Sequence, residues 1–181
     1  HRMLERLGVV LLDESRSHLE DRMGLVLEAT GVGTWEYDHQ LDILIRSSAL
    51  NRMLKLIPGK SRETLDSVLQ RIEPADRAKM AACFYDLLSG ETAEFAQDYQ
   101  VRGGDGHLRW MSSRGRVVEW DNQGKPLRSL GVAIDISAQK AAEQKLRLSE
   151  ARFRGLMENV PLPLCHVNAQ QELVFINRHF T

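Results

Sequence analysis

Side chains able to do chemistry are few in this chain, and they do not cluster. Its two cysteines, Cys83 and Cys165, lie far apart with no Cys-x-x-Cys pair, so neither a metal knuckle nor a disulfide framework is indicated. Free thiols of this kind fit a reducing compartment. His18, His39, His107, His166 and His179 show no metal-ligand spacing, and solvated surface is the default for each. Carboxylate pairs such as Glu14 with Glu20 need no acid–base role. No nucleophile stands in a pattern with a base and an orienting group. Gly103, Gly104 and Gly106 would suit a phosphate cradle only if a helix followed. They sit instead between two strand-like runs, where turn chemistry accounts for them. An enzyme is therefore not expected, and what remains is binding and assembly.

Bulk properties narrow the field further. A chain of 181 residues, 43% of them hydrophobic, can bury one ordinary core and a small second element. With 27% charged residues and a net charge of −1, no global field recruits nucleic acid or an anionic membrane. Wholly apolar runs such as Val9-Val10-Leu11-Leu12 are far too short to span a bilayer. The chain opens at His1 and is expected to be a cytoplasmic piece of a longer parent, membrane-anchored or not.

The elements that must position any site centre on residues 94–137. Phe95, Tyr99 and Val101 share one parity, the period of a half-buried strand. Gly103-Gly104-Asp105-Gly106 supplies positive-φ residues for a hairpin, and His107 to Trp120 is a long second strand. Asp121-Asn122-Gln123-Gly124 makes the next turn, and a third strand runs from Pro126 to Ile136. Upstream, Arg2 to Leu19 has the spacing of an amphipathic helix, and Leu19 to Ala29 is a second. Thr34 to Asp38 and Ile43 to Ile45 alternate as strands around a turn at residues 39–42. Ser48 to Leu56 reads as a short helix closed by Pro58-Gly59, and Thr64 to Ile72 as another. The run from Pro74 puts Met80, Ala81, Phe84, Leu87 and Leu88 on one helical face, with Gly90 as C-cap. Beyond Ala138 the composition is helical, and Ala142, Leu146, Ser149, Phe153 and Leu156 form a coiled-coil seam of about two heptads. Two strands, Leu162 to Val167 and Glu172 to Ile176, are expected near the end.

Tyr99-Gln100-Val101-Arg102, Asp105-Gly106, Arg109-Trp110, Arg114-Gly115-Arg116, Asp121 to Pro126, Gly131-Val132 and Asp135-Ile136-Ser137 together resemble the C-terminal half of a PAS (Per-Arnt-Sim) sensor domain. The likeness is to the subclass ending in Asp-Ile-Thr, with Ser137 in place of Thr, and Gly33 to Asp38 resembles that subclass's first strand. Glu73-Pro74-Ala75-Asp76 departs at two positions from the His-Pro-Asp-Asp usual there. The resemblance implies an α+β fold, a five-stranded antiparallel sheet with helices on one face, flanked by amphipathic helices. It divides the chain into an N-terminal helix (1–20), a PAS domain (21–137), a signalling helix (138–150) and the truncated start of a second PAS domain (151–181). That last piece cannot close a core, so disorder or pairing through open strand edges is expected of it.

By the same resemblance, Trp35, Tyr37, Phe95, Tyr99, Val101, Arg109, Met111, Ser113, Ser129, Gly131 and Ala133 face the helices and any ligand pocket. Ser129, Gly131 and Ala133 leave room for a small molecule, whereas Trp35, Phe95, Tyr99 and Met111 favour a filled core. Leu108, Trp110, Leu130, Val132, Ile134 and Ile136 take the opposite parity and need a cover. The helix carrying Leu4, Leu7 and Leu11, together with a second copy of the sheet face, is the cover expected, giving a homodimer. The Asn-Cys-Arg motif of flavin photoreceptors is absent, and Val101, Met111 and Ala133 stand where those proteins place polar flavin ligands. The long helix also offers no histidine for haem. Photoactive flavin and haem are therefore disfavoured, the cofactor is unknown, and Cys83 reads as a small core residue. Asp135, Ile136 and Ser137 would relay a signal, with Ser137 capping the next helix and Asp135 accepting hydrogen bonds or pairing with an arginine. The function implied is a sensory module of a bacterial multidomain signalling protein, a cyclic-di-GMP cyclase or phosphodiesterase or a sensor histidine kinase. It would bind a small ligand or dimerise, and would act on downstream domains of the same chain. The alternative is a ligand-free dimerisation domain.

Overall fold

A computed structural model describes residues 26–27, 29–57 and 61–179. The helix expected from Arg2 to Leu19, with Leu4, Leu7 and Leu11, lies outside the described residues, as do most of the helix from Leu19 and the stop at Pro58-Gly59. The chain divides into two compact units, His1–Ser137 and Ala138–Thr181.

In the first unit the strands are β1 (Val32–Asp38), β2 (Ile43–Arg46), β3 (Ser61–Glu63), β4 (Glu94–Arg102), β5 (Leu108–Trp120) and β6 (Pro126–Asp135). They form one antiparallel sheet in the order β3-β2-β1-β6-β5-β4. First and last long strands meet in the middle, Trp35 opposite Gly131 and Tyr37 opposite Ser129. The strand expectation is short by one: six strands form the sheet, not five. The addition, β3, pairs Glu63 with Leu44 and Ser61 with Arg46 on the β2 edge. Three residues show no periodicity, so pairing rather than pattern creates that strand.

Local chemistry sets the remaining elements. Ser47 accepts from Leu50 N–H and caps α1 (Ser48–Met53), and Thr64 accepts from Ser67 N–H to cap α2 (Leu65–Arg71). Helix α3 (Pro74–Ser89) has proline in its first turn and ends on left-handed Gly90, φ 78°. The β4–β5 and β5–β6 turns close on Gly106 and Gly124, each with φ near 80°. Helices α1 and α3 pack on one side of the sheet. Between them and the strands lies a core of Trp35, Tyr37, Leu50, Ile72, Met80, Phe84, Leu87, Phe95, Val101, Met111 and Ala133.

The second unit contains the helix α4 (Ser137–Asn159, its first residue belonging to the other unit) and an antiparallel hairpin, β7 (Cys165–Val167) with β8 (Leu173–Ile176). The helix runs on past position 150 without interruption. Asn177, 2% exposed, donates to the carbonyls of Met157, Val160 and Leu162 and accepts from Leu164 N–H. One buried amide thereby serves a carbonyl in the last turn of α4 and two in the segment that follows it. No helix among the described residues is long and apolar enough to cross a membrane.

Candidate ligand-binding site

A cavity opens between the sheet and the helices, walled by Trp35, Phe95, Tyr99, Val101 and Ser113 from the strands and by Leu50, Leu54, Met80 and Phe84 from the helices. The β2–β3 side contributes Leu44 and Arg46, and α2 with its end contributes Val68, Arg71 and Ile72. Its free volume is about 40 Å³. Pockets for drug-sized ligands run to roughly 300–1,000 Å³, so a porphyrin or isoalloxazine would have to part the aromatic cluster. That cluster is tight: Phe84 and Phe95 have centroids 4.7 Å apart, and Trp35 meets Phe95 edge-on at 5.8 Å.

Of the residues expected to face a pocket, the structure brings Trp35, Phe95, Tyr99, Val101 and Ser113 into the cavity wall. Tyr37, Met111, Ser129, Gly131 and Ala133 sit elsewhere in the interior. The space left by small residues on β6 is filled, a correction with a clear cause. A Cβ on Gly131 would lie 2.3 Å from the Trp35 indole, and one on Gly115 would lie 2.4 Å from it. Both glycines thus make way for tryptophan, not for a ligand. The indole N–H is satisfied within the core, donating to Ser113 Oγ at 2.8 Å. Ser129 Oγ is 2.7 Å from His39 Nε2, and Tyr37 donates its hydroxyl proton to Asp42 at 2.7 Å. Burial pushes the Tyr37 hydroxyl pKa up, with Asp42 adding to the effect, and burial pushes the His39 imidazole down.

Sequence reasoning missed the charged end of the cavity. Arg46 is 3% exposed on β2; its Nε donates to Asn51 Oδ1 at 3.0 Å, and its terminal nitrogens hold the Glu63 carboxylate at 2.7 and 3.0 Å. Arg71 clamps the same carboxylate from α2. Burial alone would raise the Glu63 pKa, but hydrogen bonds and charge from the two arginines outweigh it and hold it at about 2. Burial pushes Tyr99 to about 12, partly offset by the charges of Arg46 and Arg71. The only sequence signal was Arg46, a cation closing an otherwise aliphatic Ile43-Leu44-Ile45 strand. Glu63 and Arg71 follow no helical or strand spacing.

At the far end of β6, Asp135 Oδ1 accepts from Ser137 N–H at 2.8 Å. The Ser137 hydroxyl, expected to cap α4, instead accepts from Trp110 N–H at 2.9 Å, and Ile136 N–H donates to Trp110 C=O. The start of α4 is thereby strapped to β5, and Asp135, not Ser137, receives the free amide. Arg109 is held by Asp105 rather than by Asp135, although the negative charge of Asp135 also favours its protonated form. On the opposite sheet face, Leu130, Val132 and Ile134 are 39–41% exposed, and Leu108 is 40% exposed. Ile136 is buried, and Trp110 is half-buried. Cys83 is half-buried beside the core, its sulfur in contact with Gln97 Nε2 at 2.8 Å.

Residues 43–133 match the family described as PAS fold. The two-component sensor PprA of Pseudomonas aeruginosa is 28% identical over 145 residues, covering 80% of this chain and 15% of that protein. The non-motile and phage-resistance protein of Caulobacter vibrioides is 24% identical, over 89% of this chain and 19% of its own length. The chain thus spans less than a fifth of either curated relative. Among solved structures, a sensory box histidine kinase/response regulator from Burkholderia thailandensis superposes with a TM-score of 0.59 at 25% identity, over 74% of this chain and 98% of that one. The N-terminal domain of a diguanylate cyclase with PAS/PAC sensor from Marinobacter aquaeolei gives 0.53 at 22% identity, over 60% and 98%. The chain belongs to the PAS fold family.

Proposed function

We propose that this PAS chain is the sensory module of a bacterial multidomain signalling protein, cytoplasmic in placement, with an output of the sensor-kinase or cyclic-di-GMP class. Residues 138–150 act as its signalling helix and residues 151–181 as the start of a second PAS domain. The similarity to PprA and to the cyclase-linked PAS/PAC domain supports that choice of output. The observation that carries the sensory reading is the junction at Trp110. Neighbouring residues of β5 do two jobs: Ser113 lines the cavity, while the Trp110 backbone holds both Ile136 and Ser137 at the start of α4. A shift of β5 driven from the cavity therefore pulls on the output helix. The outer face with Leu130, Val132 and Ile134 serves a homodimer. The exposed stripe of Leu146, Phe153 and Leu156 on α4 continues the pairing.

Asp135→Ala tests the relay without any ligand. Amide exchange in the first turn of α4 should accelerate at least tenfold while core amides of β5 and β6 stay protected. In the longer protein, output should change several-fold. Uniform loss of protection across the sheet would reduce Asp135 to a stability role. A second reading, a ligand-free dimerisation domain, is favoured by the cavity's small size. A native mass spectrum free of extra mass, with a dimer intact, would decide for it.

A further inference from the structure

One imidazole at the edge of the core has a buried nitrogen to spare. His39 directly follows β1, and its N–H donates to Leu127 C=O at 3.0 Å, carrying the β1–β6 pairing past Asp38 and Arg128. The ring lies edge to face with Tyr37, centroids 4.9 Å apart, and its Nε2 is 2.7 Å from Ser129 Oγ. Ser129 is fully buried on β6. Nδ1 is also buried, and among the described residues it has no hydrogen-bond partner.

A neutral ring suits these surroundings. With its proton on Nε2 it donates to Ser129 Oγ and leaves an unpaired acceptor at Nδ1 rather than a buried, unpaired N–H. A second proton, taken up from solvent, must sit on Nδ1, where the new donor meets no acceptor. Burial acts in the same direction and pushes the imidazole down from its ordinary range, and the negative charge of Asp38 opposes this without reversing it. The other charged groups nearby are engaged. Asp38 Oδ1 accepts from the N–H groups of Gln40 and Leu41, and Asp42 Oδ1 accepts from the Tyr37 hydroxyl and Leu65 N–H. Burial keeps Tyr37 protonated. On β6, Arg128 pairs with Glu36 and Glu119, and from the helical layer Tyr37 meets the uncharged Phe84.

We propose that His39 is an acid-released latch between the β1–β2 turn and β6. The neutral ring ties the turn to Ser129; once protonated it turns out to solvent, which its half-buried position allows. An imidazole depressed in the folded chain contributes stability that is present above its unfolded value and lost as pH falls through the folded one. That window lies well above the Glu63 carboxyl, held at about 2. Strand β6 runs on to Asp135 and α4, so release at Ser129 acts on the strand that leads to the output helix. This consequence rests on the sensory reading, whereas the latch does not. The Asp135→Ala exchange experiment, measured at one pH, tests that reading separately.

The test uses the full 181-residue chain, uniformly 15N-labelled, and follows it from about pH 8 to about pH 5, the span in which imidazoles change charge. Long-range 1H–15N spectra should show His39 as a single neutral tautomer at the upper end, protonated on Nε2. It should take up its second proton at lower pH in the folded chain than in the same chain unfolded in urea. The amide signals of His39, Leu127 and Ser129 should move in step with that titration. His39→Gln, which keeps a donor for Ser129 but gains no charge, should lose the acid response at Leu127 and Ser129. Should that variant fail to fold, Ser129→Ala removes the acceptor of the Nε2 proton, and the single tautomer should give way to a mixture. A tautomer mixture in the unaltered chain, or uptake at the same or higher pH than in urea, would overturn the latch. So would amides that ignore the titration, an acid response retained in His39→Gln, or a single tautomer retained in Ser129→Ala.

Discussion

The two faces of β6 invert the usual expectation about size. Its inward residues are small, Ser129, Gly131 and Ala133, yet this side is sealed, with Ser129 and Ala133 at 0% and 1% exposure. Its outward residues are the bulky aliphatics Leu130, Val132 and Ile134, and these stand about two-fifths exposed. Inward size is dictated by a neighbour: Trp35 on β1 lies across Gly131 and Gly115 and takes the volume their side chains would need. Outward, these aliphatics take no cover from α1 or α3, which pack on the other side. Small residues in a strand therefore need not mark a ligand cavity. They can mark where a large side chain from the next strand lies down.

The sharpest way to break this contrast is to empty the inner side. Phe84, 4% exposed and in ring contact with Trp35, Tyr37 and Phe95, supports the aromatic cluster from α3. Phe84→Ala should cost about 3–5 kcal/mol, read as a fall in the urea midpoint at unchanged slope. A loss below about 1 kcal/mol would mean that the helices do not seal this face. A milder change tests the cause directly. Gly131→Ala forces a methyl into the indole and should cost about 1–3 kcal/mol as an overpacking defect. Trp35→Leu in the same chain should recover part of that loss, because the two changes share one volume. Strict additivity would separate the glycine from the tryptophan.

Acid sharpens the comparison from the charged end of the same side. The Glu63 carboxyl is held at about 2 in the folded chain against 4.5 as its ordinary value. A depressed folded pKa contributes stability that is present above the unfolded value and lost as pH falls through the folded one. Stability should thus be level in this respect above about pH 5 and decline from there towards pH 2. After discounting for partial solvent access, the part owed to Glu63 is on the order of 1–2 kcal/mol. Glu63→Gln should be less stable at pH 7 and show a shallower acid decline in urea titrations. Parallel declines in both proteins would show that the clamp contributes nothing through ionisation.

Much of the fold was legible because its signals are local. The alternation of Phe95, Tyr99 and Val101, the Gly106 and Gly124 turns, and the 80, 84, 87 face of α3 each follow from short-range geometry. Strand β3 was not, since three residues carry no period and depend on the β2 edge. The site was legible only in part. Trp35, Phe95, Tyr99 and Val101 share a face that parity could find. Arg46, Glu63 and Arg71 converge from a strand, an edge and a helix end, a meeting that only the tertiary fold makes. The identity of Gly131's partner was hidden for the same reason: the register that sets Trp35 beside it joins the first strand to the last.

The outer face gives the smallest change in stability and the clearest change in assembly. Single-chain exposure near 40% at Val132 and Ile134 means that replacing both by serine removes little burial within one copy. At dilute concentration the unfolding free energy should move by no more than about 1 kcal/mol. If the face is instead covered by a second copy, the same substitutions place hydroxyls in an apolar interface and remove several methyl groups from it. Sedimentation at tens of micromolar should then show the unaltered chain as a dimer and Val132→Ser/Ile134→Ser as a monomer with an intact fold. The stability gap between the two proteins should widen as concentration rises, because association stabilises only the chain that dimerises. A gap independent of concentration, with both proteins monomeric, would leave the outer stripe of β6 without the partner proposed for it.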